Sequence, residues 1–276
     1  MAQILIPTDM SDGSRKAVLF ALNAFNTGKD QFTLLLSIGD TPRPHLVPEF
    51  IQYVKRQARE ELDAFMAQIR ASHPGKALNL RGVVENGSVF AVIQRFRQDN
   101  PVDMVVMGTR GEGGALKWGS NAEVVARNAS GPVIVVPPEW KAGPIEKILY
   151  ADDRGEVADL KTLLPLVQLA QHHDAGIDFV HVSKEGVVRE PDPGSAGRSD
   201  IFKGIKTSNA TTMGASVTEN LARLVDGGGY GMLAIMHRRL GWLDSLFHRS
   251  VAKRMALNTT VPLLVLHELP LSPAGQ

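Results

Sequence analysis

Glycine dominates one short stretch, Gly108-Thr109-Arg110-Gly111-Glu112-Gly113-Gly114-Ala115-Leu116-Lys117-Trp118-Gly119-Ser120-Asn121, and the chemistry that suits it is the binding of a phosphate. An apolar run from Met104 to Met107 precedes it. Behind it, Asn121 to Asn128 has helical spacing, with Ser120 or Asn121 as the N-cap. Glycines let backbone N–H groups turn toward an anion with no side chain in the way, and a helix start adds unpaired donors and a positive dipole end. The dipole alone contributes about 0.3 to 1 kcal/mol, so several N–H groups must converge.

Catalytic groups are not evident around this stretch. A phosphate-binding lysine would directly follow the last loop glycine in Gly-x4-Gly-Lys-Ser/Thr, whereas Gly119 is followed by Ser120. There is no Gly-x-Ser-x-Gly elbow and no His-Glu-x-x-His run. Lys117 is the only basic side chain between Gly111 and Gly119. With no visible base or group to place a water in line, hydrolysis of a bound phosphate compound is expected to be slow at most. An enzyme is therefore the less favoured reading.

Other polar residues read mainly as structure. Asp9, just past the apolar run Ile4 to Ile6, is either a ligand contact or a helix cap. Asp152-Asp153 stands at the matching place later in the chain, and strand neighbours point to opposite faces, which favours a cap plus an exposed acid over a metal pair. Gly87-Ser88 reads as a turn and cap. His172-His173-Asp174, with His181 nearby, lacks the spacing that sets two imidazoles on one helix face, so zinc is disfavoured and no metal site is expected. Trp118 reads as loop packing.

The elements that must position the glycine stretch follow from the apolar periodicity. Strands are expected at Ile4–Ile6, Phe32–Leu36, Leu78–Val84, Met104–Met107 and Pro132–Val136, and helices at Ser14–Phe25, about Glu49–Ser72, Ser88–Gln98 and Asn121–Asn128. Continuous rather than alternating apolar strands, separated by helices, predict a parallel sheet covered on both faces, the doubly wound α/β arrangement.

The pattern then starts again. Pro137-Pro138 ends the first unit, and Lys141-Ala142-Gly143-Pro144 reads as a linker. Lys147 to Asp153 parallels Gln3 to Asp9, Met232 to Met236 parallels the fourth strand, and Val261 to Leu266 parallels Gly131 to Val136. A tandem duplication is the reading, with units at 1–140 and 144–276. In the second unit, Lys184 to Gly204 reads as an irregular, mobile loop in place of the long helix. The loop His237-Arg238-Arg239 to His248-Arg249-Ser250 has side chains where the first unit has glycines, so this copy is degenerate and its backbone is not expected to meet an anion in the same way.

Composition narrows the partners. The 30 basic and 29 acidic residues nearly cancel, leaving a net charge of +1 and no field to recruit nucleic acid or an anionic membrane. There is no cysteine, which excludes disulfides and thiolate chemistry and fits a reducing compartment. No signal peptide is visible and no apolar stretch approaches the roughly 20 residues that span a bilayer, so a soluble cytoplasmic protein is expected.

At Ile4-Leu5-Ile6-Pro7-Thr8-Asp9, Met107-Gly108-Thr109-Arg110-Gly111, Gly119-Ser120-Asn121 and Gly131 to Pro137 the chain resembles the universal stress protein family in its tandem form. The resemblance covers essentially the whole chain. It implies two tandem Rossmann-like domains of the adenine nucleotide alpha hydrolase type, with ATP or a related adenine nucleotide as the ligand of the first. By position, Asp9 holds the adenosine portion, backbone near Ile38 meets the base, and Gly108, Gly111, Gly119, Ser120 and Asn121 cradle ribose and phosphates. An accompanying magnesium ion is left open. The resemblance also implies an intrachain pseudo-twofold pair joined through Pro132–Val136 and Pro262–Leu266, with a homodimer of whole chains as a further option. One departure matters: seven residues separate Gly111 from Gly119, two fewer than in the family's motif. The alternative is accordingly a stress or scaffold interaction protein whose shortened loop is structural; a weak ATPase is the third option.

Overall fold

The computed structural model describes residues 1–25, 27–39, 48–109, 120–152, 159–182, 188–189, 198–210, 217–237 and 259–268. In the first half, β1 (Gln3–Thr8), β2 (Gln31–Ile38), β3 (Asn79–Asn86), β4 (Met104–Gly108) and β5 (Val133–Val136) alternate with α1 (Asp12–Phe25), α2 (Pro48–Ala71), α3 (Val89–Asp99) and α4 (Ser120–Asn128). The second half contains β6 (Lys147–Asp152), a 3-10 turn (Leu160–Leu163) running into α5 (Leu164–His173), β7 (Gly176–Val182), β8 (Val188–Arg189), α6 (Arg198–Ile201), β9 (Thr207–Asn209), α7 (Val217–Gly228), β10 (Met232–His237) and β11 (Leu263–His267).

The apolar strands are continuous because both faces of the sheet are covered. Ile4, Leu5 and Ile6 are all buried, and the two-residue period sends Ile4 and Ile6 to one face and Leu5 to the other. Ile4 and Ile6 pack with Ala17, Val18 and Ala21 of α1 and Leu62 and Ile69 of α2. Leu5 packs with Val92 and Ile93 of α3 and Val125 and Ala126 of α4. Each layer continues into the second half: α5 joins the first through Leu166 and Leu169, and α7 joins the second through Leu221 and Val225.

One sheet runs through the molecule in the order β3-β2-β1-β4-β5-β11-β10-β6-β7, and the outer side of β7 is shared by β9 and β8. Within the first half all neighbours are parallel, as the sequence predicts. In the second half β9-β7-β6-β10-β11 are parallel neighbours in the same order as β3-β2-β1-β4-β5. The halves meet where β5 and β11 pair antiparallel, with Leu263 opposite Val135, Leu264 opposite Ile134 and Val265 opposite Val133. These trios occupy corresponding positions, each following a proline, so exchanging the halves leaves the pairing unchanged. Such self-complementarity is the mark of an isologous, twofold contact.

Between Lys184 and Gly204 the structure differs from an irregular loop: β8 adds an antiparallel pair to the end of β7, and α6 contributes one helical turn. Residues 183–187 and 190–197 lie outside the described residues. β9 has no counterpart in the expected elements. Its residues Thr207, Ser208 and Asn209 are polar and exposed, so the apolar signal of a strand is missing. Helix α4 begins at Ser120, which is thus the first helical residue rather than the residue ahead of it. Among the described residues no helix is long and apolar enough to cross a membrane.

Candidate functional site

The order of the first half reverses direction at β1: the chain leaves β1 for β2 on one side, while β4 and β5 lie on the other. In open α/β sheets the crevice outside the carboxyl ends of the strands at this reversal is where ligands bind. Pairing between β1 and β4 is recorded at Ile4–Met104 and Leu5–Val105, short of the carboxyl ends of either strand. Asp9 follows β1, Ile38 ends β2, Gly108 ends β4 and Asn121 sits in the first turn of α4, so all four come to this edge.

Asp9 is held by the start of α1. Ser11 caps the helix, its Oγ accepting from the Ser14 N–H at 3.3 Å while its carbonyl accepts from the Arg15 N–H at 2.9 Å. Met10, with φ of 62°, turns the chain so that Asp9 faces back toward that cap. Asp9 Oδ1 accepts from the Ser11 N–H at 3.1 Å and the Ser11 hydroxyl at 2.5 Å, and also from the Ser14 hydroxyl. Ser14 Oγ in turn accepts from the Asp9 N–H at 3.0 Å. Burial pushes the Asp9 carboxyl up, but these hydrogen bonds outweigh it and hold the group below its ordinary value of 3.8. Asp9 is both a clasp for the helix start and an exposed, ionised acid.

Gly108 lacks a side chain because α1 occupies the space. A Cβ there would lie 2.2 Å from the carbonyl oxygen of Gly13 and 3.2 Å from the Ser14 nitrogen. The glycine that opens the loop therefore has a packing role that brings the Asp9 clasp against the end of β4. Thr109, the next residue, is buried, and its N–H donates to the Val136 carbonyl at 3.2 Å. Its hydroxyl is buried with no hydrogen-bond partner among the described residues.

At the other side of the crevice, the Ile38 carbonyl accepts from the Gly87 N–H at 3.1 Å, and the Ser37 hydroxyl donates to the Gly87 carbonyl. Gly87 has φ of 126°, a conformation that suits glycine. Ser88 caps α3 by accepting from the Ala91 N–H, so Gly87-Ser88 is a turn and cap that laces β3 to β2. Asn121 is exposed in α4. Gly111 and Gly119 lie outside the described residues, as does Trp118, and only the backbone of Ser120 is described.

Residues 1–137 match the model of the universal stress protein family. The first half of the chain belongs to that family. A universal stress protein of Archaeoglobus fulgidus superposes over 96% of both chains with a TM-score of 0.69 at 20% identity. A Pseudomonas aeruginosa protein of unknown function superposes over 98% of this chain and 93% of its own, with a TM-score of 0.53 at 14% identity. These likenesses are of fold, and they extend over both halves. A Lactobacillus plantarum universal stress protein is 26% identical over 49% of this chain and 96% of its own, with a TM-score of 0.41. No curated protein sequence matches the chain.

Ser11 and Ser14 bond Asp9 and Gly13 packs on Gly108, and the motif alone does not single these three out. Their signal is the spacing Asp-x-Ser-x-x-Ser across the strand-to-helix turn, which reads first as an ordinary helix entry. In the second half, Asp152 ends β6 and His237 ends β10, but their side chains lie outside the described residues, as do Asp153 and the loop 238–250. Among the described residues no group of three His, Cys, Asp or Glu could hold a metal. His173 is committed elsewhere: its Nε2 meets the Ala24 carbonyl at 3.0 Å, joining α5 to the end of α1.

Proposed function

We propose that the first half of this universal stress protein binds an adenine nucleotide, ATP or a close relative, in the crevice between β1 and β4. The protein then acts in the stress response through contacts that depend on that ligand. The observation that carries this reading is the clasped, ionised Asp9 set against Gly108 at the point of strand reversal. A fixed acceptor beside a glycine-opened loop and a helix start offers both halves of a nucleotide a partner. The units 1–140 and 144–276 act as an intrachain pair, the second without a nucleotide of its own.

The test is direct. The purified chain is denatured and the released small molecules are identified by mass spectrometry, alongside thermal melts with increasing ATP. A ligand at 100 times its dissociation constant adds about 2.7 kcal/mol of stability. Co-purified nucleotide or a clear shift supports the reading; neither, at millimolar ATP, sinks it. Gly119→Val is expected to abolish binding while the melt without ATP is unchanged.

A second reading has its own support. Gly108 is fully explained by its approach to Gly13, and the glycine loop is two residues short, so a scaffold protein with a structural loop accounts for the same glycine without a ligand. The ATP titration separates the two.

A further inference from the structure

Asp9 is constrained in a way that assigns a task to its neighbour. We infer that Ser14 is a positioning residue of the nucleotide crevice: it pins Oδ1 of Asp9 to the start of α1, so that Oδ2 alone stands as an acceptor for the ligand. This rests on the nucleotide reading above and names what prepares the site for it.

The geometry is asymmetric between the two carboxylate oxygens. Oδ1 takes the Ser11 N–H, the Ser11 hydroxyl and the Ser14 hydroxyl, while no donor among the described residues reaches Oδ2. Ser14 alone holds Asp9 at both ends, since its Oγ donates to the carboxylate and accepts from the Asp9 N–H. A residue gripped through both backbone and side chain has little freedom to rotate. Ser14 is itself fixed, being 6% exposed in the first turn of α1, where the missing side chain of Gly108 lets the helix start pack against β4. The contacts from Gly108 through Ser14 to Asp9 thus set the acid relative to the end of β4. An ionised oxygen accepts only, so the part of the ligand that meets Asp9 must present an N–H or O–H. Preorganised groups of this kind bind more tightly because no ordering cost is left to the moment of binding.

The experiment compares wild type, Ser14→Ala, Asp9→Asn and the double variant by calorimetric titration with ATP, with a thermal melt of each. Asp9 is also titrated by carboxyl-carbon NMR in the nucleotide-free protein. Ser14→Ala is expected to weaken ATP about tenfold, the scale of one hydrogen bond to a charged group, and to raise the pKa of Asp9. In the Asp9→Asn background the same change is expected to cost less than about twofold, because coupled residues are not additive. Ser14→Cys, of nearly the same shape but a weak donor, falls between and guards against a packing defect in the alanine variant. Unchanged ATP affinity in Ser14→Ala overturns the inference, as does an equal loss in the Asp9→Asn background. If wild type binds no ATP, the nucleotide reading falls and this role for Ser14 falls with it. If wild type binds and the Ser14 variants bind equally well, the nucleotide reading stands and the positioning role alone is lost.

Discussion

Ile134 and Leu264 lie opposite each other at the centre of the antiparallel join between β5 and β11, and both are 0% exposed. Each is the second residue after a proline, so the register of the join is symmetric about this pair. Truncating either leaves a cavity in the same seam. Leu264→Ala is expected to cost about 2–5 kcal/mol, with Ile134→Ala close to it, read from urea midpoints. A negligible effect in either would mean the seam contributes little to holding the halves together.

Gly108→Ala tests the contact between β4 and α1. A Cβ placed 2.2 Å from the Gly13 carbonyl oxygen cannot be accommodated by a side-chain rotation, because the obstacle is backbone. The expected cost is about 1–3 kcal/mol, as for other overpacking changes. A variant as stable as wild type, by thermal melt, would show that α1 is free to move away from β4.

His173 predicts a pH-dependent seam. Burial lowers its pKa below 6.5, the neighbouring His172 lowers it further, and the bond to the Ala24 carbonyl only partly opposes them. The folded protein thus binds this proton less readily than the unfolded chain. The associated stability is fully present above pH 6.5 and is lost as pH falls below that value toward the depressed folded pKa. His173→Gln is expected to flatten that slope in melts between pH 5 and 7, leaving the carboxylate-driven loss at lower pH.

A buried carboxylate near the amino ends of the second half's strands predicts the acid limb. Asp178 accepts from the Tyr230 hydroxyl at 2.7 Å and the Ser208 hydroxyl at 2.5 Å, and pairs with Lys147 at 2.9 Å. Burial raises its carboxyl, but these partners outweigh burial and keep it below 3.8, while burial and Asp178 together push the Tyr230 phenol up. A depressed acid contributes stability above its unfolded pKa and loses it as pH falls through the folded one. Tyr230→Phe is expected to cost about 1.5–3 kcal/mol at pH 7 and to shrink the loss of stability below pH 4. An unaltered acid limb would separate Tyr230 from the titration of Asp178.

How far the sequence could be read depended on what kind of signal each feature leaves. β1 and β4 were legible because burial on both faces demands an unbroken apolar run, and α3 because Ser88 announces its start. β9 was not, since three polar exposed residues on the edge of a sheet carry no apolar period. Asp9 is visible as the acid just past the first apolar run, whereas strand order, and with it the reversal at β1, is a tertiary property that no local pattern encodes. The clasp was harder, because Asp-x-Ser-x-x-Ser is also how many helices begin, and the need for glycine at 108 arises from Gly13, ninety-five positions away. The bond from His173 to Ala24 joins residues in different halves, and no local pattern encodes it.

Because β5 and β11 run in opposite directions, the strands of the two halves also end on opposite borders of the common sheet. A molecule held in the first crevice and any partner reading the corresponding border of the second half would approach from contrary directions, with the whole sheet between them. Coupling between the two borders would run through the packed layers that both halves share.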